Sequence, residues 1–229
     1  MSTKILAIDA ATEACSVALL TQEQTVSRFE VIPQQHSQRL LPMVDEVLQE
    51  ANMTLSDVSA IAFGRGPGSF TGVRIGVGIA QGLAFGANLP MVPVSSLEAM
   101  AEGAYREHGA EQVIAAIDAR MGEIYTATYQ RQDTGEWLCL DPECVMKPED
   151  AEFSLSEATV VGTGFETYQD ILMAKGQFMQ SDRILLPAAL DMVTLAARYF
   201  VKGQTVRAEE AEPVYVRDTV TWKKLPGRE

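Results

Sequence analysis

The stretch from Ile61 to Ala87, IAFGRGPGSFTGVRIGVGIAQGLAFGA, constrains the fold more than any other part of the chain. It opens as an apolar strand at Ile61, Ala62 and Phe63, turns through Gly64, Gly66 and Gly68, and enters a helix near Thr71. Each glycine inside a helix costs about 1 kcal/mol against alanine, so Gly76, Gly78 and Gly82 together cost about 3 kcal/mol. The gain that offsets this is close approach of another backbone. Gly72, Gly76, Ala80 and Ala84 form one small-residue stripe, and Gly78, Gly82 and Gly86 form a second. Two stripes predict two close neighbours, the chain's own sheet and another helix. The large apolar residues between them leave little polar face, so the helix is expected to be covered nearly all round. Arg74 interrupts an apolar run already too short to span a bilayer, which argues against a membrane role.

The N-terminal third reads as strand, turn and strand. Residues 4–10 form a buried strand, Ser16–Leu20 its hairpin partner, and Thr25–Val31 a third strand. The first turn carries Asp9, Thr12 and Glu13. His36–Ala51 has helical periodicity, with Leu40, Val44, Val47 and Ala51 on one face and Leu41 and Leu48 beside them. Pro42 either lies in its first turn or kinks it. After the glycine-rich helix come a strand at Met91–Val94 and a helix whose cap is Ser95, with Glu98 completing a capping box. That helix is expected to end near Gly109.

The chain then starts again. IAAIDARMGEIYTATY from Ile114 matches ILAIDAATEACSVALL from Ile5 at six of sixteen positions with a constant offset of 109, the pairs being Ile5/Ile114, Ala7/Ala116, Ile8/Ile117, Asp9/Asp118, Ala10/Ala119 and Ala18/Ala127. This predicts an internal duplication of two sheet-based lobes. One lobe would span residues 1–105, with 206–229 packing back on it, and the other 106–205. A hairpin with its turn at Asp133–Gly135 and a return strand at Trp137–Leu140, a strand at Thr159–Val161 and helices at about 165–175 and 188–202 fill the second half. Gly203 is expected to close the last helix, and Val214–Arg217 to form a final strand.

Chemistry in this sequence is sparse. A duplicated strand–aspartate–turn unit can hold nucleotide phosphates across a cleft, with Asp9 and Thr12 as one jaw and Asp118 and Gly122 as the other. Neither turn has the run of glycines that brings amides onto phosphate oxygens, and each aspartate can equally cap its own turn. The Gly64–Gly72 loop lacks the ending of a P-loop, and Ser69 and Thr71 read as helix caps. Three cysteines without a Cys-x-x-Cys pair suit reduced thiols in a cytosol, as does an N-terminus without an apolar signal. A metal site made by this chain alone is not expected. His36 reads as an exposed residue at a helix start. With 31 acidic against 18 basic residues, a net charge of −13 argues against RNA binding by the chain itself. Arg217, Lys223, Lys224 and Arg228 make a basic tail, read as solvated.

AIDAATEACSVAL, HSQRLLP at 36–42, GRGPGSFTGVRIGVGIAQGLAF at 64–85, PVSSLEAMA at 93–101 and PVYVRD at 213–218 resemble the bacterial TsaB (YeaZ) family over nearly the whole chain. The resemblance implies an actin-like (ASKHA) α/β fold of two lobes, each a mixed sheet flanked by helices. It implies a cytoplasmic, non-catalytic subunit that activates TsaD, with TsaE, in forming N6-threonylcarbamoyladenosine at position 37 of ANN-decoding tRNAs. The paralogue TsaD holds its metal with a His-x-x-x-His motif; the matching residues here are Ser96 and Met100, which cannot replace two imidazoles. ATP and metal would therefore come from the partners, and tRNA would be met only through the complex. The family pairs its two N-terminal helices with those of TsaD, or of a second copy when alone. Leu40, Leu41, Val44, Val47, Leu48, Gly72, Ile75, Gly76, Ile79 and Leu83 are the expected contact, and a large residue at Gly76 is expected to weaken association more than folding. The rival readings are a small-molecule kinase of actin-like fold and, disfavoured by the missing histidine pair, a metallopeptidase.

Overall fold

The computed structural model describes residues 3–217. Strands β1 (Ile5–Asp9), β2 (Ala14–Leu20), β3 (Thr25–Val31), β4 (Ala60–Gly66) and β5 (Met91–Ser95) form one sheet in the order β3-β2-β1-β4-β5. Its left half is antiparallel, and β1, β4 and β5 are parallel. Strands β6 (Gln112–Arg120), β7 (Glu123–Arg131), β8 (Trp137–Met146), β9 (Glu157–Val161) and β10 (Gln177–Gln180) form a second sheet ordered β8-β7-β6-β9-β10. Numbered within its own half, each sheet reads 3-2-1-4-5 with the same parallel and antiparallel neighbours. The fold is the two-lobed actin-like α/β arrangement.

Helices separate the sheets into five layers. Helices α1 (His36–Glu50) and α2 (Phe70–Ala87) cover the outer face of the first sheet, and α3 (Ser96–His108) and α6 (Ala189–Val201) lie between the sheets. The short helices α4 (Thr163–Thr167) and α5 (Gln169–Met173) cover the far face of the second. This layering explains why β1 is apolar at every position instead of alternating: Leu6 and Ile8 pack under α1 and α2, while Ile5 and Ala7 pack against α6. Helix α6 falls within residues 106–205, yet it lies against the first sheet.

The duplication is real in topology but the residue matches are out of phase. Ile5 and Ala7 face the middle layer. Their matches at an offset of 109, Ile114 and Ala116, face the outer layer of α4 and α5. Side chains alternate along a strand, so an odd slip moves every residue to the wrong face. Asp9 and Asp118 consequently point to opposite sides of their sheets.

Local signals set most of the ends. Ser69 caps α2, accepting from the Gly72 amide, and Ser95 caps α3, accepting from the Glu98 amide. The Glu98 carboxylate does not complete a box; it accepts from the Tyr199 hydroxyl on α6. Gly109 ends α3 with φ of 66°, and Gly203, at φ of 72°, follows α6 in the left-handed conformation open to glycine. Helix α1 runs through Pro42, whose ring is exposed. The expected helix at 165–175 is two short helices, and β10 was not anticipated because QFMQ is too short and polar to read as a strand. The expected final strand at Val214–Arg217 does not form: its recorded backbone bond is from the Val214 N–H to the Arg65 carbonyl. The segment before it does return to the first lobe, through a bridge between Val206 and Met91. Lys223, Lys224 and Arg228 lie outside the described residues.

Candidate functional site: a closed cleft and an open helix face

The two strand-end turns expected to grip phosphates are occupied by the chain itself. Asp9 is completely buried. Its Oδ2 accepts from the Ala11 amide at 3.4 Å, and Oδ1 has no partner among the described residues. A Cβ on Gly64 would lie 2.0 Å from Oδ1, so glycine there makes room for the carboxylate, and the Met192 methyl from α6 closes the same point. Burial raises the Asp9 carboxyl from 3.8 to about 7, opposed by the Ala11 and Ala10 amides. Thr12 is buried, its hydroxyl accepting from the Ala14 amide and its carbonyl from a ring N–H of His36 at 2.9 Å. His36 is therefore not exposed as expected; it anchors the first turn to the start of α1. In the second turn the Asp118 carboxylate accepts from the Arg120 amide at 3.0 Å, capping its own turn. An ion pair from Arg120 to Glu13 joins the two turns, and Arg65 joins β4 to β8 through two bonds of 2.9 Å to Glu143. Arg217 adds a third link, pairing with Glu123 and donating to the Ala119 carbonyl at 3.2 Å.

The glycine loop serves the same closure. A Cβ on Gly68 would lie 2.2 Å from the Ala11 carbonyl oxygen, and one on Gly72 would lie 2.2 Å from that of Ala10. The Ser69 amide, which a phosphate would need at the head of α2, already donates to Ala11 at 2.7 Å. Ser96 and Met100 are both fully buried on α3. A hydroxyl and a thioether do not make the metal site that two imidazoles would. Among the described residues no three His, Cys, Asp or Glu side chains are grouped to hold a metal.

The protonation of Asp9 has a measurable consequence. The folded state keeps the carboxyl protonated up to about pH 7, whereas the unfolded chain ionises it near 3.8. Between those limits the folded state binds more protons, so stability falls as pH rises and levels off above the folded value. Asp9→Asn removes this slope. Its stability relative to the unsubstituted chain is expected to climb between about pH 4 and pH 7, by on the order of 4 kcal/mol in all. Urea midpoints at both ends of that range check it; parallel pH profiles for the two proteins contradict it.

The second surface is α2 itself, and here the expected contact needs correction. Gly72 and Gly76 turn inward, where Gly76 sits 3.5 Å (measured from its would-be Cβ) from Ala10. Leu40, Val44, Val47 and Leu48 are likewise buried in the core between α1 and the sheet. All six are buried within the chain, and a large residue at Gly76 would press on the fold. The outward face carries Phe70, Arg74, Gly78, Gly82, Phe85 and Gly86, with Ile75, Ile79 and Leu83 half-buried along its flank. Nothing lies within 4 Å of a Cβ built on Gly78, Gly82 or Gly86. Leu41, 46% exposed, is the member of the α1 set that remains outward. The second stripe was visible as spacing; which stripe faces the sheet depends on where the loop meets Ala10, which spacing does not reveal.

Comparison with known proteins adds the following. The family model described as TsaD, tRNA N6-adenosine threonylcarbamoyltransferase, matches residues 20–220. A protein of Escherichia coli named tRNA threonylcarbamoyladenosine biosynthesis protein TsaB is 52% identical, the match covering 99% of this chain and 100% of that one. Its namesake from Haemophilus influenzae is 48% identical, with 98% of each covered. A crystal structure from Pseudomonas aeruginosa, described as similar to peptidase YEAZ, aligns at a TM-score of 0.88 with 47% identity, over 94% of this chain and all of that one. Another, described as YeaZ from the same organism, aligns at 0.83 with 47% identity, over 93% and 99%.

Proposed function

The chain belongs to the TsaB family, and from that membership we propose that it serves tRNA threonylcarbamoyladenosine biosynthesis as a non-catalytic subunit. It docks through the outward face of α2 onto the threonylcarbamoyltransferase TsaD and so supports modification of adenosine 37, with TsaE as the third component. The observation that carries this reading is the contrast between the two surfaces. Asp9 is buried beneath α6, and Thr12 and Asp118 are bonded within their own turns, while an apolar, glycine-lined helix face lies bare.

An exposed helix with three unopposed glycines is physically costly unless something lies against it. A partner helix gains close backbone packing there, and the flanking Ile75, Ile79 and Leu83 supply apolar area. The acidic net charge fits a subunit that leaves tRNA contact to its partners. Catalysis and metal binding then belong to TsaD, and ATP to the partners. With no helix long and apolar enough to cross a membrane among the described residues, the site of action we assign is the cytoplasm, where tRNA is modified.

Two experiments test this. Reconstituted modification of tRNA by TsaD and TsaE should depend on adding the chain. Calorimetry of the chain alone with ATP and magnesium should give no heat of binding at micromolar concentration. Modification that proceeds equally without the chain, or tight ATP binding by the chain alone, would overturn the assignment.

A further inference from the structure

Residues 203–217, GQTVRAEEAEPVYVR, carry one 3-10 turn and a single bridge but no longer element. Such a segment keeps one path only where its backbone groups find partners that offset the entropy of ordering it. It finds them along a line across the first lobe. Val206 exchanges two backbone bonds of 2.9 Å with Met91 of β5. The side-chain amide of Gln81, on α2, donates to the Ala208 and Ala211 carbonyls at 2.9 Å each. The Val214 N–H donates to the Arg65 carbonyl at 2.7 Å. A Cβ on Gly66 would lie 3.0 Å from the Val214 carbonyl oxygen, so the segment lies flush on the glycine loop there.

Its last residues touch two places at once. The Tyr215 ring lies 5.6 Å from that of Phe70, and the Arg74 guanidinium stacks 3.5 Å from the Phe70 centre and 5.3 Å from that of Tyr215. Both rings are about half exposed, so Tyr215 extends the outward face of α2 that Phe70 and Arg74 begin. Two residues later the chain has reached the second lobe, where the mostly buried Arg217 pairs with Glu123 and donates to the Ala119 carbonyl at 3.2 Å. A partner covering Phe70 and Arg74 also covers Tyr215, which holds that position while the segment is seated. Contacts that exist in the seated state alone favour it, and seating then favours docking by the same factor. We propose that residues 203–217 are a latch coupling occupancy of the α2 face to the second lobe, with Tyr215 meeting the partner and Arg217 holding the lobe. The proposal rests on the reading that the outward face of α2 docks TsaD, and it adds a conformational consequence of that docking.

Hydrogen exchange and TsaD titration of the full-length chain, Arg217→Ala, Glu123→Ala and the double variant test it. In the free chain each single variant should speed exchange of the Val214 amide about fivefold, while unchanged β1 amides verify the fold. TsaD bound to the unsubstituted chain should slow Val214 about fivefold or more, although that N–H is turned to Arg65. Each single variant should raise the TsaD dissociation constant about threefold or more. The double variant should bind no more weakly than the weaker single, because both substitutions break one contact. Normal affinity in the variants, Val214 exchange that ignores TsaD, or losses that multiply in the double variant would each overturn the latch. Gly78→Leu, titrated alongside, separates the two readings. Tight binding by Gly78→Leu overturns the docking face and the latch with it, whereas weak binding by Gly78→Leu beside normal binding by Arg217→Ala overturns the latch alone.

Discussion

Gly78→Leu is expected to abolish association with TsaD while leaving the isolated chain folded and slightly more stable. A Cβ at this position meets nothing within 4 Å. Leucine in place of glycine in a helix interior favours the helix by about 0.8 kcal/mol. Against a partner helix the same side chain fills the gap that lets two backbones come close. Forcing the helices apart removes packing along the whole contact, and a loss of at least about 100-fold in affinity is expected, equivalent to about 2.7 kcal/mol. Thermal melting paired with titration of TsaD against the variant separates the two effects. A variant that binds normally, or one that unfolds, contradicts the assignment of this face.

Gly72→Val is expected to do the reverse, and with a larger effect on folding than any exposed substitution. Here a Cβ would sit 2.2 Å from the carbonyl oxygen of Ala10, which is backbone and cannot turn aside. The head of α2 would have to lift from the end of β1, opening the seat of Asp9 and withdrawing the Ser69 amide from Ala11. Overpacking of this kind against a fixed backbone, combined with loss of core contacts, is expected to cost about 4 kcal/mol or more. In a domain with ordinary marginal stability that is a large share of the total. The check is a urea titration; a midpoint within experimental error of the unsubstituted chain contradicts the close-packed reading. The two glycines are six residues apart in one helix and are expected to fail in opposite ways.

This contrast also marks what the sequence makes legible. The strands of the first lobe, the two helices that follow them and the caps at Ser69, Ser95 and Gly109 are readable because each rests on local chemistry. The presence of two glycine stripes on α2 is equally local, whereas their assignment is not. It depends on the carbonyls of Ala10 and Ala11 reaching Gly72 and Gly68 from the turn after β1, about 60 residues earlier. The same limitation explains the contact residues placed on Leu40, Val44 and Gly76: an apolar face is a face that gets buried, and the periodicity that found it cannot tell core from interface. A histidine before a polar serine carries no apolar signal, so the sequence does not show that His36 is buried with its ring N–H closing the Thr12 turn.

The duplication teaches a narrower lesson. Shared strand order follows from repeated strand, turn and helix signals, and it holds across both lobes. The six identities at an offset of 109 gave the right architecture from the wrong alignment, since Asp9 faces α6 and Asp118 caps a turn on the opposite side of its own sheet. Two aspartates that share a motif therefore do not share a cleft geometry.

The most direct test of the central claim is reconstituted formation of N6-threonylcarbamoyladenosine on tRNA by TsaD and TsaE, with the Asp9→Asn, Asp118→Asn double variant set beside Gly78→Leu. If the chain works by its surface, the double variant sustains the unsubstituted rate and Gly78→Leu reduces it to the level seen without the chain. A rate lost with the cleft carboxylates, in a variant that still binds TsaD, would contradict the account.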